Sequence, residues 1–161
     1  IDPDAEALAE ITKHTADLAR QFNVEPRAAM LSYSNFGSVE NEGTRQSQRA
    51  ADRLRSDPSV DFQVDGEMQA DTALVEEILD GTYDFTELDG PANLLIFPSL
   101  EAGNIGYKLL QRLGGADAIG PMLVGMDKPV HVLQRGDEVN DIVNLAGVAV
   151  VDAQERDASG D

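Results

Sequence analysis

The sequence contains no cysteine and no tryptophan, and aromatic residues make up only 5% of its 161 positions. The first absence excludes disulfides, thiolate metal ligands and a cysteine nucleophile. Lysine is scarce too. Three lysines and nine arginines face 18 aspartates and 12 glutamates, for a formal net charge of −18. Such a chain lacks the basic surface that nucleic acid or an anionic membrane needs. No apolar run approaches the length of a bilayer span. The first residues are acidic rather than basic and then apolar, so no signal peptide is expected and the cytoplasm is the expected compartment. What the chain does have is 42% hydrophobic residues. That is enough for a domain with a full core and too many for a disordered acidic tail. An acidic, lysine-poor surface stays soluble at high salt; an ordinary acidic cytoplasmic protein can have the same balance.

Periodicity divides the chain into alternating elements. Asp2-Pro3-Asp4 supplies a cap, a first-turn proline and an early acid, and Leu8, Ile11, Thr15, Leu18 and Phe22 follow at helical spacing. The apolar run 28–34 predicts a buried strand that ends in a turn at 35–38. A helix is expected over 44–55 with Ala50, Ala51 and Leu54 inward, then an alternating strand over 60–64 and a turn at Asp65-Gly66. A helix over 72–79, an acidic connection over 80–91 and a buried strand over 93–97 come next. A helix over 102–113 stops at Gly114-Gly115. Short strands are expected at 122–124 and 130–133, and a last helix over 137–154. The tail 155–161 is polar.

Strands alternating with helices predict an α/β domain, a three-layer α/β/α sandwich with a mostly parallel sheet. An antiparallel element is allowed near 122–133. Ligands of such folds bind beyond the carboxyl ends of the strands. Three exits there are rich in small and polar residues: 32–38, 98–108 and 134–137. Each offers backbone N–H groups, hydroxyls or amides to an anion, or simply makes a turn. Arg135 follows a strand and could clamp a phosphate or carboxylate, or pair with Asp137 or Asp141. Lys108 and Arg112 are four apart on one helix. His14 and His131 are isolated, so no metal-ligand spacing exists, and His131 reads as structural. Asp65, Glu67 and Asp71 suit a helix N-terminal acidic cluster better than a Mg²⁺ site. No Walker A sequence is present, and Gly103-x-x-Gly106 lacks the first half of a dinucleotide fingerprint.

Several stretches in order resemble a known family. Val64-Asp65-Gly66-Glu67-Met68-Gln69-Ala70-Asp71 is one. Gly103-Asn104-Ile105-Gly106-Tyr107-Lys108 is a second, and Gln111-Arg112-Leu113-Gly114-Gly115-Ala116 with Ala118-Ile119-Gly120-Pro121 continues it. Lys128-Pro129-Val130 and Asp141-Ile142-Val143-Asn144 complete the series. Together, over about 28–154, they resemble phosphotransacetylases, the phosphate acetyl/butyryl transferase family, whose fold is similar to that of isocitrate and isopropylmalate dehydrogenases. The resemblance covers the carboxyl half of such an enzyme. It implies that 1–154 form the second half of a two-domain unit, with 155–161 as a polar tail and the amino half elsewhere.

Two positions depart from the family pattern. Gln134-Arg135-Gly136 stands where Ser-Arg-Gly is typical, and Phe36 stands where a lysine is common. These departures, with Pro129-Val130-His131-Val132-Leu133 and the ending 149–154, are similar to the carboxyl-terminal domain of large bacterial NADP-dependent malic enzymes. That resemblance implies a regulatory acetyl-CoA-binding domain without acetyl transfer, allosteric on malate decarboxylation and part of a homo-oligomer. NADP and a divalent metal (Mg or Mn) would belong to the parent oxidoreductase, upstream, and no cofactor or metal to this segment. The alternatives are phosphate acetyltransferase itself, with Arg135 and Asp141 catalytic and Asp141 as the base, and a dimerisation module with a vestigial site. In the ligand-binding readings the resemblance assigns acetyl-CoA, CoA or phosphate contacts to Ser32, Ser34, Asn35, Asn104, Lys108, Arg112, Gln134, Arg135 and Asp141.

Overall fold

A computed structural model describes residues 1–126 and 128–159. The chain divides into two compact units, Ile1–Lys108 and Leu109–Asp161. In the first unit, helix α1 (Ala5–Gln21) leads to β1 (Arg27–Leu31), α2 (Glu42–Ser56), β2 (Gln63–Met68), α3 (Ala70–Leu74), α4 (Glu76–Thr82) and β3 (Leu94–Ile96). Helix α5 (Leu100–Leu113) carries the chain across the division. The three strands form a parallel sheet in the order β2-β1-β3.

Strand alternation sorts the core. Ala28, Met30, Val64, Leu94 and Ile96 meet Leu8, Ala16, Ala50 and Leu54 of α1 and α2 on one face. Ala29, Leu31 and Met68 meet Ala73, Leu79 and Leu88 on the other, with Phe36, Leu95 and Phe97 packed against them. The expected α/β/α layering is thus present, with α1 and α2 on one side and α3 and α4 on the other.

Caps explain the helix starts. Asp4 Oδ1 accepts the Ala7 N–H at 2.8 Å. Asn41 and Thr44 form a reciprocal capping box, so α2 opens at Glu42, ahead of the expected 44. The stripe predicted for α1 is partly wrong. Leu8, Ala9, Thr12 and Ala16 face inward, while Ile11 and Phe22 are exposed. Small side chains let α1 pack against α2, and bulk alone misjudged the face. Lys13 donates to Asp57 and joins α1 to the end of α2. The Ser59 hydroxyl and then Lys13 hold the Asp57 carboxyl far below the usual carboxylate range.

The largest correction concerns β2. It runs through Asp65-Gly66, where a turn was expected, and it buries Asp65 and Glu67. Neither acid belongs to a helix N-terminus or to a metal cluster. Asp65 accepts hydrogen bonds from Arg55 Nη1, the Gly66 N–H, Thr86 Oγ1 and the Glu87 N–H at 2.5–2.9 Å. These donors offset the cost of burying the charge. Gly66 has φ +133, and a Cβ there would lie 2.7 Å from the Met30 carbonyl oxygen. Gly66→Ala is therefore expected to cost about 3 kcal/mol. A urea midpoint unchanged from the parent protein would contradict this.

The second unit holds α6 (Val139–Ser159) and an isolated antiparallel bridge between Met122 and His131. That bridge is all that forms of the two strands expected at 122–124 and 130–133. The helix runs past the expected end at 154, and the last two residues of the expected tail lie outside the described residues. His131 Nε2 lies 3.9 Å from Asp152 Oδ2, with both side chains largely buried. Leu113, Val139 and Val143 are exposed. No helix among the described residues is long and apolar enough to cross a membrane.

Candidate functional site

The carboxyl ends of β1 and β2 lie side by side, and the loop 32–39 is stitched to β2. Ser32 donates its N–H to the Met68 carbonyl at 2.9 Å and Phe36 to that of Glu67 at 2.7 Å. The Gly37 N–H and Ser34 Oγ both donate to Glu67 Oε1, at 2.7 and 2.8 Å. Ser34 Oγ in turn accepts the Val39 N–H, and Ser38 Oγ accepts that of Asn35. The Ser34 and Ser38 N–H groups go to Ser32 Oγ and the Asn35 carbonyl. All six backbone N–H groups of 34–39 are therefore engaged internally. The expectation that this loop offers backbone N–H groups to an anion does not hold. Of the backbone N–H groups in the loop only that of Tyr33 has no partner among the described residues, so ligand contacts rest mainly on side chains.

Two such groups are available. Asn35 Oδ1 accepts the Gln69 N–H at 2.7 Å, which leaves its amide nitrogen without an acceptor among the described residues. The Ser32 hydroxyl accepts from Ser34 and has its own hydrogen to give. Ser34, in contrast, is fully buried and supports the loop from inside. Phe36 packs its ring 5.0 Å from those of both Tyr83 and Phe85.

The second exit behaves differently. Ser99 Oγ accepts the Ala102 N–H at the start of α5. A Cβ on Gly106 would lie 3.0 Å from the Phe97 ring, and one on Gly103 would lie 3.5 Å from Phe97 Cβ. These glycines let α5 pack on Phe97, so their spacing answers to packing. Asn104 and Lys108 are exposed and four apart on α5. Lys108 Nζ lies 4.6 Å from the Tyr107 ring centroid. No hydrogen bond joins either side chain to the loop 32–39 among the described residues.

The second unit holds Arg112, Gln134, Arg135 and Asp141, all but Arg112 near the start of α6. Asp141 Oδ2 accepts the Glu138 N–H at 2.8 Å, and Asp137 Oδ2 accepts that of Gln134 at 2.6 Å. Asp141 lines a cavity of about 630 Å³ with Gln111, Asp117, Glu138, Asn140 and Asn144. Its lining has carboxylates and amides and no basic side chain. Such a lining can accept hydrogen bonds from N–H or S–H groups. Arg135 does not line it.

Among the described side chains the cations fall into two groups. Lys13, Arg20, Arg45, Arg49, Arg53 and Arg55, on α1 and α2, each have a carboxylate partner. Arg27 donates to the Pro91 carbonyl. Lys108, Arg112, Lys128 and Arg135 are exposed and have no carboxylate within ion-pair distance among the described residues. The alternative of an Arg135 pair with Asp137 or Asp141 is not what the structure contains.

Comparison with known proteins fits these features. The chain is 42% identical to a phosphate acetyltransferase of Bacillus subtilis over 153 residues, 95% of this chain and 47% of the relative. A Staphylococcus aureus phosphate acetyltransferase is 40% identical over 93% of this chain and 47% of its own length. Two solved structures agree in fold. The EutD phosphotransacetylase from Staphylococcus aureus superposes with a TM-score of 0.87 at 40% identity, covering 94% of this chain and 47% of its own. A Streptococcus pyogenes phosphotransacetylase gives 0.86 at 42% identity, with coverages of 96% and 47%. The chain thus spans about half the length of the relatives it matches.

These relatives overturn the expectation of a regulatory malic enzyme domain, and NADP, a parent oxidoreductase and its metal lose their support with it. Phe36 and Gln134 had pointed that way. Phe36 fills an aromatic cluster at a loop whose shape other bonds set, and Gln134 is fastened through its backbone N–H. Single side chains in such places diverge at low cost. Over residues 1–150 the sequence matches the family described as phosphate acetyl/butaryl transferase, and the chain belongs to that family.

Proposed function

We propose that this chain supplies half of a phosphate acetyltransferase, which exchanges an acetyl group between CoA and inorganic phosphate. The observation that carries the reading is the set of unpaired cations. In a chain of net charge −18, Lys108, Arg112 and Arg135 have no carboxylate partner among the described residues. Exposed cations kept free amid thirty acids are suited to a polyanionic ligand such as CoA or acetyl phosphate.

The chemistry follows from the groups. Asp141 has one carboxylate oxygen held by the Glu138 N–H, which leaves the other to take the proton of the CoA thiol. The thiolate sulfur then bonds to the acetyl carbon of acetyl phosphate. The carbon–oxygen bond to phosphate breaks, and phosphate leaves with that electron pair. Arg135 would balance charge on the departing phosphate. In the second unit Gln134 would supply a neutral hydrogen bond; in the first, Ser32, Asn35 and Asn104, with Ser34 behind the loop, are the side chains this reading assigns to ligand contact. Homo-oligomer formation belongs to the same reading, and the exposed Leu113, Val139 and Val143 are side chains it would cover.

The test is an assay of the full-length protein for thioester formation from CoA and acetyl phosphate. Activity is expected, and Asp141→Asn should lower kcat by on the order of 10²–10⁴. Absence of activity in the parent protein would reject the proposal.

A further inference from the structure

We propose that Glu67 is a positioning residue: its buried carboxylate holds the loop 32–39 in the shape that presents Ser32 and Asn35 to substrate. This rests on the acetyltransferase reading and deepens it. Four observations carry it.

The first is how Glu67 comes to point inward. Along β2 the register with β1 pairs Met30 with Gly66 and Leu31 with Met68. Glu67 is the extra residue of a bulge and has no partner on β1. The core shows the consequence. Val64 and Met68 share parity, yet they lie in opposite core clusters. Bulges re-aim side chains, and they are over-represented near active sites. The second observation is that Glu67 is only 1% exposed, and just one of its oxygens is used. Oε1 takes Ser34 Oγ and the Gly37 N–H, while buried Oε2 has no hydrogen-bond partner among the described residues. A stabilising role alone would favour a fully satisfied or an apolar side chain here.

The third is backbone conformation. Phe36 and Gly37 have φ of +48 and +82, and a bulky residue in the left-handed region is held there against its preference. The bonds that hold it come from Glu67, through its carbonyl to Phe36 and its carboxylate to Gly37. The fourth is that every other N–H of 34–39 is satisfied inside the loop or by the Glu67 carbonyl, and Met68 and Gln69 hold only Ser32, Tyr33 and Asn35, so Ser34 Oγ and the Gly37 N–H lose their one shared acceptor if the carboxylate is removed. The turn at 36–37 then loosens, and with it the side-chain geometry of Ser32 and Asn35 on either side of the buried Ser34.

The experiment uses the full-length protein with Glu67→Gln, Glu67→Ala and Glu67→Asp. Glutamine keeps a carbonyl acceptor at the same reach, aspartate keeps the charge one methylene short, and alanine removes both. A positioning role predicts that E67A raises KM for acetyl phosphate or CoA by about tenfold, with E67D intermediate and E67Q within about threefold of the parent. A merely structural role lowers the active fraction, and so the apparent kcat, with both KM values unmoved. Unmoved KM values in E67A, or E67Q as impaired as E67A, would overturn the proposal. Should E67A fail to fold, E67D carries the same comparison against E67Q. Gly37 amide exchange is read in parallel and is independent of activity. It should quicken in E67A and E67D and stay near the parent rate in E67Q. An inactive parent protein with that exchange pattern rejects the acetyltransferase reading and leaves the hold on the loop. An unchanged Gly37 rate in every variant rejects the hold itself.

Discussion

Arg135→Ala is expected to lower kcat/KM for CoA-dependent cleavage of acetyl phosphate by on the order of 10²–10³, about 3–4 kcal/mol of transition-state stabilisation. The size follows from charge. In the proposed reaction phosphate leaves with a full extra negative charge, and the surrounding chain is strongly acidic. Without Arg135 that charge loses the cation the proposal assigns to it. Stability should hardly move, because Arg135 is exposed and has no carboxylate partner among the described residues; such surface changes stay within about 0.5 kcal/mol. Arg135→Lys keeps the charge and loses the planar fork, so it should recover only part of the rate. The check is steady-state kinetics beside a thermal melt. A rate within threefold of the parent for the alanine variant, roughly 0.6 kcal/mol, would remove Arg135 from the proposed machinery.

The second large effect concerns stability. Asp65→Ala is expected to cost about 3–5 kcal/mol. The carboxylate is 1% exposed and accepts four hydrogen bonds from α2, from β2 itself and from the connection after α4. Its removal leaves the Glu87 N–H and the Thr86 hydroxyl without their acceptor. Arg55→Ala should cost less, about 1–2 kcal/mol, because Asp65 keeps three donors and the Arg55 side chain is 34% exposed. Urea unfolding measures both as shifts in midpoint at constant slope. Equal shifts for the two variants would show that the ion pair, rather than the carboxylate's whole donor set, is what matters.

The same residue shows where sequence reading stops. An Asp-Gly pair after an alternating run reads as a turn by local propensity. It lies in a strand here because Arg55, Thr86 and Glu87 converge on it from ten to twenty-two positions away. Glu67, read from the sequence as one acid of a helix N-terminal cluster, was misplaced for the same reason: its partners Ser34 and Gly37 sit thirty or more positions earlier. The signals present were three acids within seven residues and the ordered motif 64–71, and neither carries the distant partners. Gly103 and Gly106 had an apolar partner in Phe97 that spacing could not show.

Hydrophobic period, caps and chain breakers were enough to place α1, α2, α5 and α6, the buried strands β1 and β3 and the loops at their exits, because those signals act over a few residues, though the one helix expected over 72–79 is two, α3 and α4. Ordered motifs were enough to find the family, though two loop side chains misdirected the choice of branch. The tertiary structure alone decided which face of α1 is buried, where β2 runs, and that the apolar runs near 122 and 131 make one bridge. It also decided that the donors of the first exit loop are turned inward. All of these depend on hydrogen bonds and packing between residues distant in the chain, and no local pattern carries that information.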